Sequence, residues 1–155
     1  MKIEVEDYLI PLQGLDLYRI IASWTWLTGD KIIVALTKNG DALLSDQNKH
    51  LYFLETGGGT IEQQSYNYQD LMDNQLDPEL TMEILLAPVV DQMDQKIGLK
   101  PGQVYSYTLL PVLGGKYDPS NRYALDIYEH YGVTGDLHMQ LKDTPDGTWV
   151  DVIVK

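Results

Sequence analysis

An α+β fold, an antiparallel meander sheet with helices before and after it packing on a single layer of sheet, is predicted by three observations. Short apolar runs separated by turn residues fill residues 31–64, helical periodicity flanks that stretch on both sides, and a 44% apolar content supplies a core. The 155 residues fit one domain spanning 1–155.

Residues 15–27, LDLYRIIASWTWL, place Leu17, Ile20, Ile21 and Trp24 at spacings of three and four, which predicts a first helix with one apolar face. The meander follows. Asn39-Gly40 is a strong hairpin signal because both residues tolerate positive φ, so residues 32–37 should pair with 42–45, and 50–55 and 60–64 supply the next two strands. Ser65 is a candidate N-cap for the helix in YNYQDLMDNQ, and Asp77-Pro78 a cap and first turn for the next. In that second helix Met82, Leu86, Val89, Met93 and Ile97 share one sector, while Glu83, Asp91 and Asp94 share a neighbouring one. Pro88 should kink or divide it at Ala87, and Gly98 should stop it. After a Lys100-Pro101-Gly102 turn, residues 104–110 read as a strand, 111–121 as an exposed loop rich in Gly, Pro, Asp and Asn, 122–126 as a short strand and 127–141 as a helix. Residues 145–147 make a last turn and 149–154 a closing strand.

Composition narrows function. The absence of cysteine excludes disulfide scaffolds, thiolate metal sites and Cys nucleophiles. The N-terminal stretch mixes acids into its apolar residues, unlike a secretory signal, and the apolar runs 32–36 and 84–90 fall short of the roughly 20 residues that cross a bilayer, so a cytoplasmic protein is expected. Net charge is −12, and it is concentrated: between His50 and Gln95 there is no Lys or Arg, while Glu55, Glu62, Asp70, Asp73, Asp77, Glu79, Glu83, Asp91 and Asp94 give nine acids. Such a surface repels nucleic acid and anionic lipid and steers basic partners toward it.

Catalytic motifs are weak by comparison. His130 and His138 lie eight apart, about 80° around a helix, without a zinc-binding pattern, and no metal or cofactor is expected. The serines occupy no nucleophile elbow, and the Gly-rich stretches 56–60 and 113–116 lack phosphate-loop spacing. One enzymatic alternative survives: a small hydrolase or ligand-binding protein built on His130, with Asp126 or Glu129 to orient it, near the 113–121 loop. A general regulatory adaptor is the other alternative. The aromatic inventory, 11 Tyr against a single Phe, suits a wet protein interface; Tyr68 in the acidic stretch and Tyr117 in the loop are candidate anchors.

The segments IIASWTWL, TKNGDALLSDQNKHLYFLETGGGTI, LAPVVDQM, LKPGQVYSYTLLPVLGGKYDPSN and DIYEHYGVTGDLHMQLKDTPDGTWVDV, in that order, make the chain resemble the bacterial immunity-protein domain first catalogued as domain of unknown function 1851, associated with immunity to DNase toxins of type VI secretion. PVLGGKY followed by QLKDTPDG is the most specific part, and the layout is loosely similar to the SUKH immunity superfamily. The resemblance implies a non-enzymatic domain that works by binding a toxin, with structural turns at Gly40, Asp41, Gly57, Gly59, Pro101, Gly102, Pro111, Gly114, Gly115, Asp143, Pro145, Asp146 and Gly147. With the charge pattern, it sets the expectation of a monomer or homodimer that covers a basic toxin, a nuclease, through Asp70, Asp73, Glu79, Glu83, Asp91 and Asp94, with Tyr68 and Tyr117 as anchors.

Overall fold

The computed structural model describes residues 3–144. Its centre is an open antiparallel sheet of five strands in sequence order, β1 (Leu9–Ile10), β2 (Ile32–Thr37), β3 (Ala42–Ser45), β4 (Leu51–Glu55) and β5 (Thr60–Gln63). Helices stand before and after it, as the α+β reading requires. Strand β1, unforeseen from the sequence, pairs Leu9 with Thr37 and Ile10 with Leu36. The β2–β3 register sets Ile32 opposite Ser45 and Leu36 opposite Ala42, with an irregularity between Ile33 and Ala35. At the hairpin tip only Gly40 takes positive φ, +85°, and the Thr37 amide reaches the Asp41 carbonyl at 3.0 Å.

Alternation along the strands divides the core into two layers. Leu36, Ala42, Leu44 and Leu54 pack with Ile20, Ile21, Trp24, Ile127 and Tyr131. Ala35, Leu43 and Leu51 pack with Val5, Tyr66, Leu71, Ile84 and Leu85. Covered on both faces, Ala42, Leu43 and Leu44 are all buried, which explains their unbroken apolar run.

The helix expected over residues 15–27 is broken into α1 (Leu17–Ile21), a 3₁₀ turn (Ala22–Trp24) and α2 (Thr25–Thr28). Asp16 caps α1 by accepting from the Arg19 amide, and the Ser23 carbonyl is diverted to the Trp26 indole N–H at 2.9 Å. Helix α3 (Tyr68–Met72) starts from Asn67, two residues past the expected Ser65 cap. Asn67 and Asp70 form a reciprocal capping box, two bonds that Ser65 cannot match.

Helix α4 (Pro78–Leu85) begins as foreseen from Asp77, whose carboxylate accepts from the Glu79 amide. It ends one residue before the expected break: Leu86 is left-handed, φ 49° and ψ 47°, and α5 (Ala87–Lys96) starts anew with Pro88 in its first turn. Pro88 has no N–H for the Ile84 carbonyl and its ring crowds that turn, so the chain must turn out before reaching it. The turn also rotates the apolar face. Ile84, Leu85, Val90 and Met93 are buried, whereas Ile97, assigned to the apolar sector from the sequence, is exposed. Gly98, at φ +75°, closes α5 as expected by donating to the Met93 carbonyl.

A separate two-stranded ribbon, β6 (Gln103–Tyr107) with β7 (Arg122–Asp126), feeds α6 (Ile127–Leu141). Strand β6 stops three residues short of the expected Leu110, because Thr108 and Leu109 belong to the loop that β7 closes. Gly135 in α6 lies so close to the 3₁₀ turn after α1 that a Cβ there would stand 2.5 Å from the Ser23 carbonyl oxygen, a packing reason for a residue that weakens the helix. The closing strand expected over 149–154 and the turn at Pro145, Asp146 and Gly147 lie outside the described residues.

Candidate functional site

Where the β2–β3 hairpin tip, the 56–59 turn, the ribbon and α6 converge, polar groups are buried together. His130 is fully enclosed: Nδ1 pairs with Ser106 Oγ at 2.7 Å, and Nε2 with the Gly40 carbonyl at 2.8 Å and Thr56 Oγ1 at 3.1 Å. Burial holds its pKa down at about 4, so it is a neutral cross-brace. His138 braces the same region by donating from Nε2 to the Thr56 carbonyl at 2.7 Å. Gly59, at φ +71°, passes so close that a Cβ would stand 2.3 Å from His138 Nδ1.

Asp41, expected as a turn residue, is buried here and accepts from the Thr56 amide at 2.9 Å and from Asn39 Nδ2 at 2.9 Å. Desolvation raises its pKa to about 7 against those hydrogen bonds. Asn39 is a relay, because its own Oδ1 accepts from Arg122. The Arg122 guanidinium is buried too, spends its donors on the carbonyls of Asn39, Tyr105, Ser106 and Tyr117, and lies 4.0 Å over the Tyr107 ring. A charge-bearing network of this kind fixes the position of whatever rests on it.

What rests on it is a loop and a pocket. Asn121 staples residues 109–121: its Oδ1 accepts from the Leu109 amide at 2.9 Å and its Nδ2 donates to the Leu109 and Lys116 carbonyls, both at 2.7 Å. Gly115 permits this, since a Cβ would overlap the Leu109 carbonyl oxygen at 1.8 Å. The Val112 amide ties the loop to the Gly57 carbonyl at 3.3 Å, and Pro111 and Gly114 shape its first turn. Beside it Asn39, Asp41, Phe53, Glu55, Glu83, Leu86 and Tyr117 line a pocket of about 220 Å³. Tyr117 donates a short hydrogen bond to Glu55, and its hydroxyl pKa is raised, first by desolvation and then by that carboxylate.

Of the eight partner-binding candidates, only Glu83 and Tyr117 meet at this pocket. Tyr68 is half-buried against the second core layer. Asp70 is engaged in the capping box and Asp73 accepts from Gln69. Asp91 accepts from Tyr8, and Asp94 from Tyr105 with Lys38 at 3.4 Å. Glu79 is exposed one helical turn before Glu83. The enzymatic alternative is not assembled: Asp126 and Glu129 are exposed at the start of α6, where Asp126 caps the helix, while His130 is sealed inside. Thr56, Ser106 and Arg122, which organise the site, were not singled out from the sequence, and Asn39 was read only as half of a hairpin turn. Among the described residues there is no metal-binding group of three or more His, Asp or Glu, and no helix is long and apolar enough to cross a membrane.

Comparison with known proteins gives two matches of different weight. Residues 65–138, just under half of the chain, match the family model described as the C-terminal domain of the T6SS immunity protein Tdi1. The matched segment runs from the acidic helices through the loop to α6. Among solved structures, the crystal structure of Atu4351 from Agrobacterium tumefaciens is similar over 78% of this chain, with a TM-score of 0.53 at 12% identity, which shows the fold alone. This chain spans 64% of that one. No curated protein matches the sequence.

Proposed function

We propose that the protein is a non-enzymatic type VI secretion immunity protein that binds and neutralises a basic toxin, a secreted nuclease, in the cytoplasm, without a cofactor, as a monomer or homodimer. The observation that carries this reading is the match of residues 65–138 to the immunity family. Charge supports the finer part: nine acids and no Lys or Arg between His50 and Gln95 complement the positive cleft a nuclease needs for phosphate. Asp70, Asp73, Glu79, Glu83, Asp91 and Asp94 contribute to that field, with Tyr68 and Tyr117 as aromatic anchors. The acidic face speeds encounter, and contacts at its centre set the lifetime of the complex.

The test is capture of the tagged full chain from its native lysate at low and high salt, followed by expression of the captured protein in a host with and without this chain. One basic protein that is released as salt rises, cleaves DNA and kills only cells lacking this chain is the expected result. A captured protein without toxicity, or toxicity that this chain leaves unchanged, overturns the reading.

A further inference from the structure

We infer that the partner seats on the 109–117 loop and the adjoining pocket, where an arginine side chain of the partner enters beside Glu55 and Glu83; this rests on the proposed immunity reading and locates its interface. Three independent features converge there. The loop exposes Leu109, Val112, Leu113 and Tyr117, yet it is stapled by Asn121 and anchored to Gly57. Exposed apolar side chains held in fixed positions are preorganised for a protein surface, since little ordering entropy remains to be lost on binding.

The pocket beside them is lined by three acids, Asp41, Glu55 and Glu83, and by no cation. Arg122 lies behind Asn39 and donates to carbonyls within the chain, and Lys116 on the loop helps to lower the pKa of the Asp118 carboxyl. At about 220 Å³ the pocket is smaller than the roughly 300–1,000 Å³ of small-molecule sites and is suited to one inserted side chain. Phe53 and Tyr117 bring aromatic rings to the lining, and a guanidinium stacks on such rings and bridges carboxylates where a compact ammonium does neither as well.

The third feature is unspent polarity beneath the loop, beside Gly57 and Pro111, and backbone strain on the pocket wall. The Tyr107 hydroxyl is buried without a hydrogen-bond partner, its ring edge-on to Tyr117 at 5.9 Å. Leu86, on the pocket wall, holds a left-handed backbone that a leucine rarely adopts. In the pocket Asp41 and Glu55 are bonded within the chain, as Asp70, Asp91 and Asp94 are on the acidic helices, whereas among the described residues no hydrogen bond engages the Glu83 carboxylate.

Two measurements on the full chain test this. In the first, N-acetyl-arginine-N-methylamide is titrated into isotope-labelled protein and followed by amide NMR. Saturable shifts confined to residues around 39–41, 53–58, 83–86 and 109–117, lost in Glu55→Gln/Glu83→Gln, are expected; shifts spread over the acidic helices, or none, overturn the pocket. In the second, the captured partner's affinity is compared for wild type, Glu55→Gln/Glu83→Gln, Val112→Ser/Leu113→Ser and Asp70→Asn/Asp73→Asn, each checked for unchanged melting. The first two double variants should weaken binding at least about tenfold and the third by less than about threefold. The opposite order overturns the interface. Failure of the wild type to capture any partner defeats the immunity reading instead, and the arginine titration still decides the pocket.

Discussion

Replacing Gly40 by alanine isolates how much the buried brace contributes. Gly40 sits at φ +85°, and a Cβ there would stand 2.4 Å from His130 Nε2 and 2.8 Å from its Cε1. Alanine in that backbone region costs about 1 kcal/mol by itself. The larger cost is displacement of His130, which strands Ser106 Oγ and the imidazole itself, while the Gly40 carbonyl and Thr56 Oγ1 keep each other. A buried polar group left unpaired costs about 1–3 kcal/mol, so two stranded groups bring the total to about 3–7 kcal/mol. Gly102→Ala is the control, because φ is +81° there and nothing lies within 4 Å of the added Cβ. It should lose only the backbone part, about 1 kcal/mol. Urea unfolding followed by tryptophan fluorescence measures both, and with m near 1–3 kcal/mol/M the Gly40→Ala midpoint should fall about 1 M or more below that of Gly102→Ala. Equal midpoints for the two variants would refute the view that His130 braces the tip.

The two titrating groups of the network pull stability in opposite directions with pH. Asp41, raised to about 7 from 3.8, binds more protons folded than unfolded between those values, so its share of stability falls as pH rises through them; His130, lowered to about 4 from 6.5, binds fewer, so its share rises from pH 4 to 6.5, with the lowered His138 on the same side. His130→Gln should therefore leave stability falling from pH 4 to 6.5 by up to about 1.4 kcal/mol per pH unit more than in the wild type, and Asp41→Asn should shift the slope in the opposite direction. Denaturation midpoints at four pH values check this, and three parallel profiles would contradict it. Asn121→Ala removes the loop's staple and should open residues 109–121 to proteolysis before the chain unfolds globally. Cleavage rates equal to those of the wild type would show that the loop is held by something else.

The elements that sequence reasoning recovered are those whose signals are local. Asn39-Gly40 placed β2 and β3 to the residue, Asp77-Pro78 placed the start of α4, and helical spacing placed α6. Those it missed depend on competition or distance. Strand β1 is two residues long and exists only because Thr37 and Leu36 offer it a register. Ser65 lost to Asn67 because Asp70 completes the second cap. Arg122 meets Asn39 across 83 residues of sequence, and His130 meets Gly40 across 90, so no spacing rule could have joined them. The closeness of Gly40 and Gly59 to the two histidines is the physical reason for glycine at both, but the sequence displays the glycine without the ring beside it.

The candidate interface shows the same limit in its electrostatics. Nine acids between His50 and Gln95 look equivalent in the sequence, and each contributes to the long-range field. Close contact distinguishes them by what each carboxylate already holds. Asp70, Asp73, Asp77, Asp91 and Asp94 accept hydrogen bonds from their own chain, and Glu55 accepts from Tyr117. Among the described residues no hydrogen bond engages the carboxylates of Glu62, Glu79 or Glu83, and of these three Glu83 alone lines the pocket with Tyr117 and Asp41. At Asp91 and Asp94 a partner cation meets a carboxylate that already shares its charge with a tyrosine hydroxyl, whereas at Glu83 no hydrogen bond from the described residues engages either oxygen. The field therefore belongs to the whole acidic segment, but specificity is expected where an uncommitted carboxylate, a fixed aromatic and an exposed apolar loop coincide.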